Sequence, residues 1–245
     1  MCTPDGIKPA LTAAVVSQHE LVGTGLWRMA LSVPAWSGKE PEPGQFIMLR
    51  VSEGFEPLLA RPFGVAGFER NGESAVIEII YRVVGRGTGL MARWVPGREA
   101  SFLGPLGRGF TLPPEGSRTI LVAGGVGLPP LLAMARRLSA LGRAREVTLL
   151  YGESSRDRLL HLELRAFPGV GTFTCTEDGS CGTAGLVTDL LAPRLDEKGT
   201  HLFVCGPSPM IKAVRGMVAG RGLEKSRSCR TSMLIRLSSC SDRCM

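Results

Sequence analysis

The pattern of the chain changes at Pro113-Pro114-Glu115-Gly116, and this change constrains the fold more than any other feature. Before it, short runs alternate apolar and polar residues: AAVVSQHEL, LWRMALSVP, GQFIMLRV, FGVAGFE, AVIEIIYRVV and EASFLGPLG. Such alternation, rich in β-branched residues, reads as half-buried strands. Pro43-Gly44 and Asn71-Gly72 supply turns, the second a strong hairpin signal. Six short strands, with one short helix over Leu90–Trp94, predict a small antiparallel β-barrel. After the change, TILVAGG and EVTLLYG are continuous apolar runs, as in strands covered on both faces. Helical spacing over Leu131–Leu141 and in RDRLLHLELRAF, GLVTDLLAP and MIKAVRGMVAGRG alternates with strands in GTFTCTEDGS and THLFVCGPSP. Strands alternating with helices predict a doubly wound parallel sheet. The expected organisation is a barrel domain at 1–113, an α/β domain at 114–223 and an irregular, cysteine-containing tail at 224–245.

Several classes of function are set aside by composition. The 245 residues are 44% apolar and 21% charged, as in an ordinary soluble domain. The net charge of +7 comes without a basic stripe interleaved with aromatics, so no nucleic-acid partner is expected. There is no run of 18 apolar residues to span a membrane. The first twenty residues lack a basic segment followed by a long apolar core, so no secretory signal is expected. Seven cysteines, scattered and odd in number, argue against a disulfide framework and for a reducing, cytoplasmic setting.

The stretch LVAGGVGLPPLL, Leu121–Leu132, carries the first hint of chemistry. A strand, a glycine turn and a helix make a phosphate site, because glycines let the backbone approach a pyrophosphate and the helix N-terminus is electropositive. Pro129 and Pro130 suit the first helical turn, where a missing N–H costs nothing. Glycines at such a turn also serve plain strand–helix packing. TEDGS (176–180) and CGPSPM (205–210) end further strands on the same edge, and three converging loops favour a nucleotide cleft. Asp178 and Ser180 either line that cleft or only make a turn.

ARPFGVA, IIYRVVGRGT, GPLGRGF, LVAGGVGLPPLL, LLYGESSRD, TEDGSCGTAG and CGPSPMIKAV follow the order and spacing of the ferredoxin-NADP reductase superfamily. Over Pro43–Gly222 the chain resembles, within it, the family of dihydroorotate dehydrogenase electron-transfer subunits. The resemblance implies an oxidoreductase with FAD on the barrel and NAD(H) on the α/β domain. It also implies transfer of electrons to a partner dihydroorotate dehydrogenase catalytic subunit, an FMN protein, in a hetero-oligomer serving pyrimidine biosynthesis. Another partner, such as ferredoxin, sulfur or a hydrogenase, stays open, as does a nucleotide-binding regulatory role without electron transfer.

Residue by residue, the resemblance places Arg61, Pro62, Phe63 and Gly64 along the flavin, with Arg61 facing its phosphates. Gly64 departs from the family's usual Ser or Thr and leaves only a backbone N–H there. Ile80, Tyr81 and Arg82 continue the flavin site, and Gly87 and Thr88 meet its pyrophosphate. Tyr81 also fits a half-buried strand tyrosine, and Gly87-Thr88 a plain turn and N-cap. Gly124, Gly125 and Gly127 take the pyrophosphate of the pyridine dinucleotide. Cys205, Gly206 and Pro207 sit near its nicotinamide, although Cys205 also reads as a small buried apolar residue. No acid–base side chain is expected, since hydride transfer is the cofactors' own chemistry. Glu153, at the end of a strand, points to NADH over NADPH, while Arg156 and Arg158 keep NADPH open.

The family also implies a [2Fe–2S] cluster near the C-terminus. One known ligand pattern is C-x4-C-x2-C with a distant fourth cysteine. Here Cys229, Cys240 and Cys244 are spaced C-x10-C-x3-C. No ligated cluster and no metal site is expected. In the tail only MLIRL has the composition to pack.

Overall fold

The computed structural model describes residues 10–52, 59–160, 167–195, 200–219, 225–228 and 232–236. The chain divides into two compact units, the second beginning at Thr111.

The first unit is a closed barrel of six strands: β1 (Ala10–Gly23), β2 (Leu26–Val33), β3 (Phe46–Leu49), β4 (Arg61–Asn71), β5 (Ser74–Arg82) and β6 (Glu99–Leu106). Its order is β1-β2-β5-β4-β3-β6, and every pairing is antiparallel. Inward residues of the alternating strands fill it. Met29, Leu31, Ile47, Leu49, Ile77, Ile79 and Phe102 are all fully buried. Each such side chain contributes about 1.5–3 kcal/mol through area removed from water. Asn71-Gly72 makes the β4–β5 hairpin, with Gly72 at φ +63°.

The short helix lies earlier than the sequence predicts. It is α1 (Arg86–Met91), not Leu90–Trp94. The cause is local. The Thr88 hydroxyl accepts from the N–H groups of Val84 and Gly85, 3.0 and 3.2 Å away, and donates to the Gly85 carbonyl at 3.1 Å. That bonding starts the helix one turn ahead of its apolar residues.

The second unit is a seven-stranded sheet of order β10-β9-β8-β7-β11-β13-β12. Its strands are β7 (Thr119–Gly124), β8 (Val147–Glu153), β9 (Gly171–Thr176), β10 (Thr183–Ala184), β11 (His201–Cys205), β12 (Lys225–Ser228) and β13 (Ser232–Arg236). The helices are α2 (Leu128–Ala140), α3 (Val187–Leu191) and α4 (Ser208–Ala219). The first five strands in that order run parallel. Ile120, Val122, Leu150, Leu202 and Val204 pack with Leu191 of α3 and Val214 of α4. The alternate residues Leu121, Leu149, Tyr151 and Phe203 are buried too, so the apolar runs reflect cover on both faces.

Two segments differ from expectation. RDRLLHLELRAF opens as a single 3₁₀ turn, Arg156–Arg158, and residues 161–166 lie outside the described residues. The tail, expected to be irregular, contributes β12 and β13. Strand β13 covers most of MLIRL and pairs antiparallel with β11, Phe203 opposite Leu234, so the exposed edge of β11 is taken up by main-chain bonding. Among the described residues no helix is long and apolar enough to cross a membrane.

Arg143 clamps the start of the second unit. Its Nη1 and Nη2 donate to the carbonyls of Pro113 and Pro114 at 3.0 and 2.6 Å, and its Nε and Nη2 donate to Glu146 at 2.9 and 2.7 Å. Glu146 also accepts from the Gly116 N–H at 3.2 Å. The Arg143 side chain holds the Glu146 carboxyl below the usual carboxylate range. A depressed carboxyl stabilises above its unfolded pKa, and that part is lost as pH falls through the folded value. Arg143→Ala should cost about 1–2 kcal/mol in a urea titration at neutral pH. The gap should narrow, without closing, as pH drops below about 4, because only the two carbonyl bonds then remain.

Candidate functional site

In the barrel, Arg61 opens β4 opposite Leu49 at the end of β3. A Cβ built on Gly87 would stand 3.1 Å from Arg61 Nε and 3.6 Å from Val51 Cγ2. The Arg61 side chain therefore lies close against the first turn of α1, where a Cβ at position 87 would press on it. Arg61 Nη1 donates to the Leu59 carbonyl at 3.2 Å. A cation and the electropositive end of a short helix thus share one rim of the barrel. Thr88 is nearly buried, and its hydroxyl is engaged in closing the loop that starts α1.

The other residues predicted for this region separate by strand alternation. Val65 pairs with Ile79, both inside the barrel. Phe63 and Tyr81 share that inner face, their ring centroids 5.6 Å apart. Pro62, Gly64, Ile80 and Arg82 fall on the outer face, where Gly64 adds no side chain to the surface. Tyr81 is only 2% exposed and so is a core residue, not a half-exposed platform. Its hydroxyl stands 2.9 Å from His19 Nε2, and burial pushes its pKa up, which keeps it a phenol.

In the second unit, β7 leads to β8 and β9 on one side, while β11 lies on the other. The gap between the carboxyl ends of β7 and β11 is the switch point of the sheet, where ligands of open α/β folds bind. Ala123 pairs with Cys205 there. Gly124 ends β7, Gly125–Gly127 form one 3₁₀ turn, and α2 follows with Pro129 and Pro130 in its first turn. The loops after β7 and β11 are packed backbone to backbone. A Cβ on Gly127 would collide with the carbonyl of Cys205 and lie 2.6 Å from the Gly206 nitrogen. One on Gly206 would lie 3.0 Å from the Gly124 carbonyl. One on Gly124 would meet Met210 Sδ at 2.5 Å and Pro207 Cδ at 3.1 Å. Gly125 instead has φ +56° and looks toward Glu153 Oε1. The glycines thus serve loop packing and a close backbone approach at once.

Glu153 is 8% exposed at the end of β8, and Tyr151 donates to it across 3.2 Å. Asp178 and Ser180 form a turn with each other. The Ser180 hydroxyl and N–H donate to Asp178 Oδ1 at 2.6 and 2.9 Å, holding that carboxyl below its usual range. The Ser180 hydroxyl also accepts from the Arg156 N–H at 2.8 Å, which ties the loops after β8 and β9 together. Met210, which sequence reasoning passed over, is the side chain wedged between Gly124 and Gly206. Its place two residues beyond CGPS in the same run was the available signal.

The profile of the oxidoreductase NAD-binding domain matches residues 121–216. The chain is similar to the dihydroorotate dehydrogenase B (NAD(+)) electron transfer subunit of Geobacillus thermodenitrificans, at 37% identity over 77% of this chain and 73% of that relative. It is similarly related to the protein of the same description from Lysinibacillus sphaericus, at 36% identity over 82% and 76% of the two chains. Among solved structures, a ferredoxin reductase in carbazole 1,9a-dioxygenase superposes with TM-score 0.76 at 22% identity, over 88% of this chain and 66% of that one. A cytochrome P450 reductase of Amycolatopsis gives 0.73 at 23%, over 89% and 69%. These likenesses show the fold: a six-stranded barrel with a parallel sheet of the ferredoxin reductase type.

The glycine contacts predict a graded response. Gly127→Ala drives a methyl group into backbone and should cost about 1–3 kcal/mol or more. Gly124→Ala presses mainly on the movable end of Met210 and should cost less. Thermal unfolding of both variants checks the order, and equal stability of Gly127→Ala and the parent would contradict the packing described.

Proposed function

The chain belongs to the family of dihydroorotate dehydrogenase B electron transfer subunits, and from that premise we propose that it oxidises NADH through bound FAD. It is an oxidoreductase with an electron-transfer role. In this reading the electrons go to a dihydroorotate dehydrogenase catalytic subunit carrying FMN, within a cytoplasmic hetero-oligomer of pyrimidine biosynthesis. The region 1–113 holds FAD and the region 114–223 holds NAD(H). The observation that carries the reading is the loop packing at the switch point, where Gly124, Gly127, Cys205, Gly206 and Pro207 meet.

The residues present fit both dinucleotides. Arg61 against Gly87 gives a cradle that a Cβ would fill. Arg61 neutralises diphosphate charge there, and the outer face of Pro62, Gly64 and Arg82 offers a strand surface to the flavin ring, to which the buried Ile80 adds its backbone. Phe63 and Tyr81 support that surface from inside the barrel. Gly125 lets the backbone approach the second pyrophosphate, and Glu153, aimed by Tyr151, accepts from a ribose 2′-hydroxyl and opposes a 2′-phosphate. FAD supplies the ability to take a hydride and release electrons singly. The chain's own residues bind and orient.

An iron–sulfur centre does not fit in the same way. Cys229, Cys240 and Cys244 lie outside the described residues, and their spacing lacks the compact loop that four thiolates around two irons require. We assign the chain no [2Fe–2S] cluster.

Arg61→Ala should weaken FAD retention by about 1.5–3 kcal/mol, the worth of a charge-assisted contact. Unchanged FAD occupancy in that variant would remove Arg61 from the site. With an artificial acceptor, the FAD-loaded chain should show a higher kcat/KM for NADH than for NADPH, and Glu153→Gln should narrow the difference. A clear preference for NADPH would overturn the role given to Glu153.

A further inference from the structure

His19 lies in none of the motifs that point to dinucleotide binding, yet it touches their supports. Strand β1 carries a bulge. Val16 pairs with Leu31 but Gln18 pairs with Ala30, so Ser17 is an extra residue. Plain alternation from buried Val16 would turn His19 outward. The bulge shifts the phase and sets His19 directly opposite Met29, which is fully buried. His19 therefore faces the barrel interior and stacks on Trp27, centroids 4.5 Å apart.

Both ring nitrogens are used. Nδ1 stands 2.9 Å from the Trp94 carbonyl and Nε2 2.9 Å from the Tyr81 hydroxyl. A carbonyl only accepts, so Nδ1 donates, and in the neutral ring Nε2 accepts a hydrogen bond from the Tyr81 hydroxyl. Trp94 closes the helical segment begun by α1, its N–H donating to the Met91 carbonyl at 2.9 Å. Tyr81 lies on β5 against Phe63 of β4. The bulge itself bonds to the segment that follows: Gly97 N–H donates to the Val16 carbonyl at 2.8 Å, and Val16 N–H to the Arg98 carbonyl at 2.9 Å. His19 of β1 thus joins β2, β5 and the α1 segment directly, and reaches β4 only through Tyr81.

We propose that His19 is a positioning residue that anchors the α1 segment to the barrel and so sets Gly87 and Thr88 for flavin binding. The flavin part rests on the function proposed above. The anchoring part stands on the hydrogen bonds alone. No motif analysis reaches His19, because its orientation depends on the bulge.

Hydrogen–deuterium exchange on the full chain separates the two. His19→Leu keeps bulk against Trp27 and removes both bonds. Amides from Gly87 to Trp94 should exchange about tenfold faster, while β2 and β5 stay protected. His19→Asn retains a donor at the position of Nδ1 and should restore the protection. In FAD-loaded protein, His19→Leu should also release FAD about tenfold faster, and Ile77→Val, a core change away from α1, should not. Unchanged exchange at Gly87–Trp94 in His19→Leu, or loosening spread evenly over the barrel, overturns the anchoring. Faster exchange with unchanged FAD release overturns its link to flavin. If the parent chain holds no FAD, the flavin reading fails while the exchange result still decides the anchoring.

Discussion

The second unit depends on one steric constraint: two loops from neighbouring parallel strands approach until their backbones touch. Gly127 fits under the Cys205 carbonyl only because it has no side chain, and Gly206 approaches Gly124 in the same way. The contact follows from the sheet order, which sets β7 beside β11 although β8, β9 and β10 intervene in the chain. A helix then starts where the loops meet, with prolines in the one turn that tolerates them. In the function proposed above, packing and anion recognition make the same demand on these positions.

The barrel meets an analogous demand by different means. Gly87 gives up a side chain so that Arg61 can lie on the first turn of α1. Thr88 spends its hydroxyl on starting that helix, and His19 holds the far end of the segment through the Trp94 carbonyl. The charge, the helix start and the anchor come from β4, the β5–β6 connection and β1. Closing the barrel brings them together, so fold and site depend on each other here.

Much of this was legible in the sequence because it rests on period and on glycine. Alternation through Leu26–Val33 and Ser74–Arg82 gave the barrel strands, and the apolar runs at Thr119–Gly124 and Val147–Glu153 gave the covered sheet. The glycines and the Cys205-Gly206-Pro207 turn pointed to the switch point. Other features were not legible, for physical reasons. A bulge at Ser17 reverses the faces of β1 without any compositional mark. The start of α1 was displaced by a side-chain hydrogen bond, and the pairing of β13 was decided by an open sheet edge that a linear pattern does not contain. Asp178 and Ser180 satisfy each other, which residue type alone did not distinguish from lining a cleft.

The central claim is that this chain takes electrons from a reduced nicotinamide into a bound flavin. The most direct measurement is anaerobic mixing of the purified, FAD-loaded chain with one equivalent of NADH while the flavin absorbance is followed. The account predicts bleaching of the flavin band in a single turnover without any partner protein. A chain that binds FAD and NADH yet shows no bleaching would contradict it.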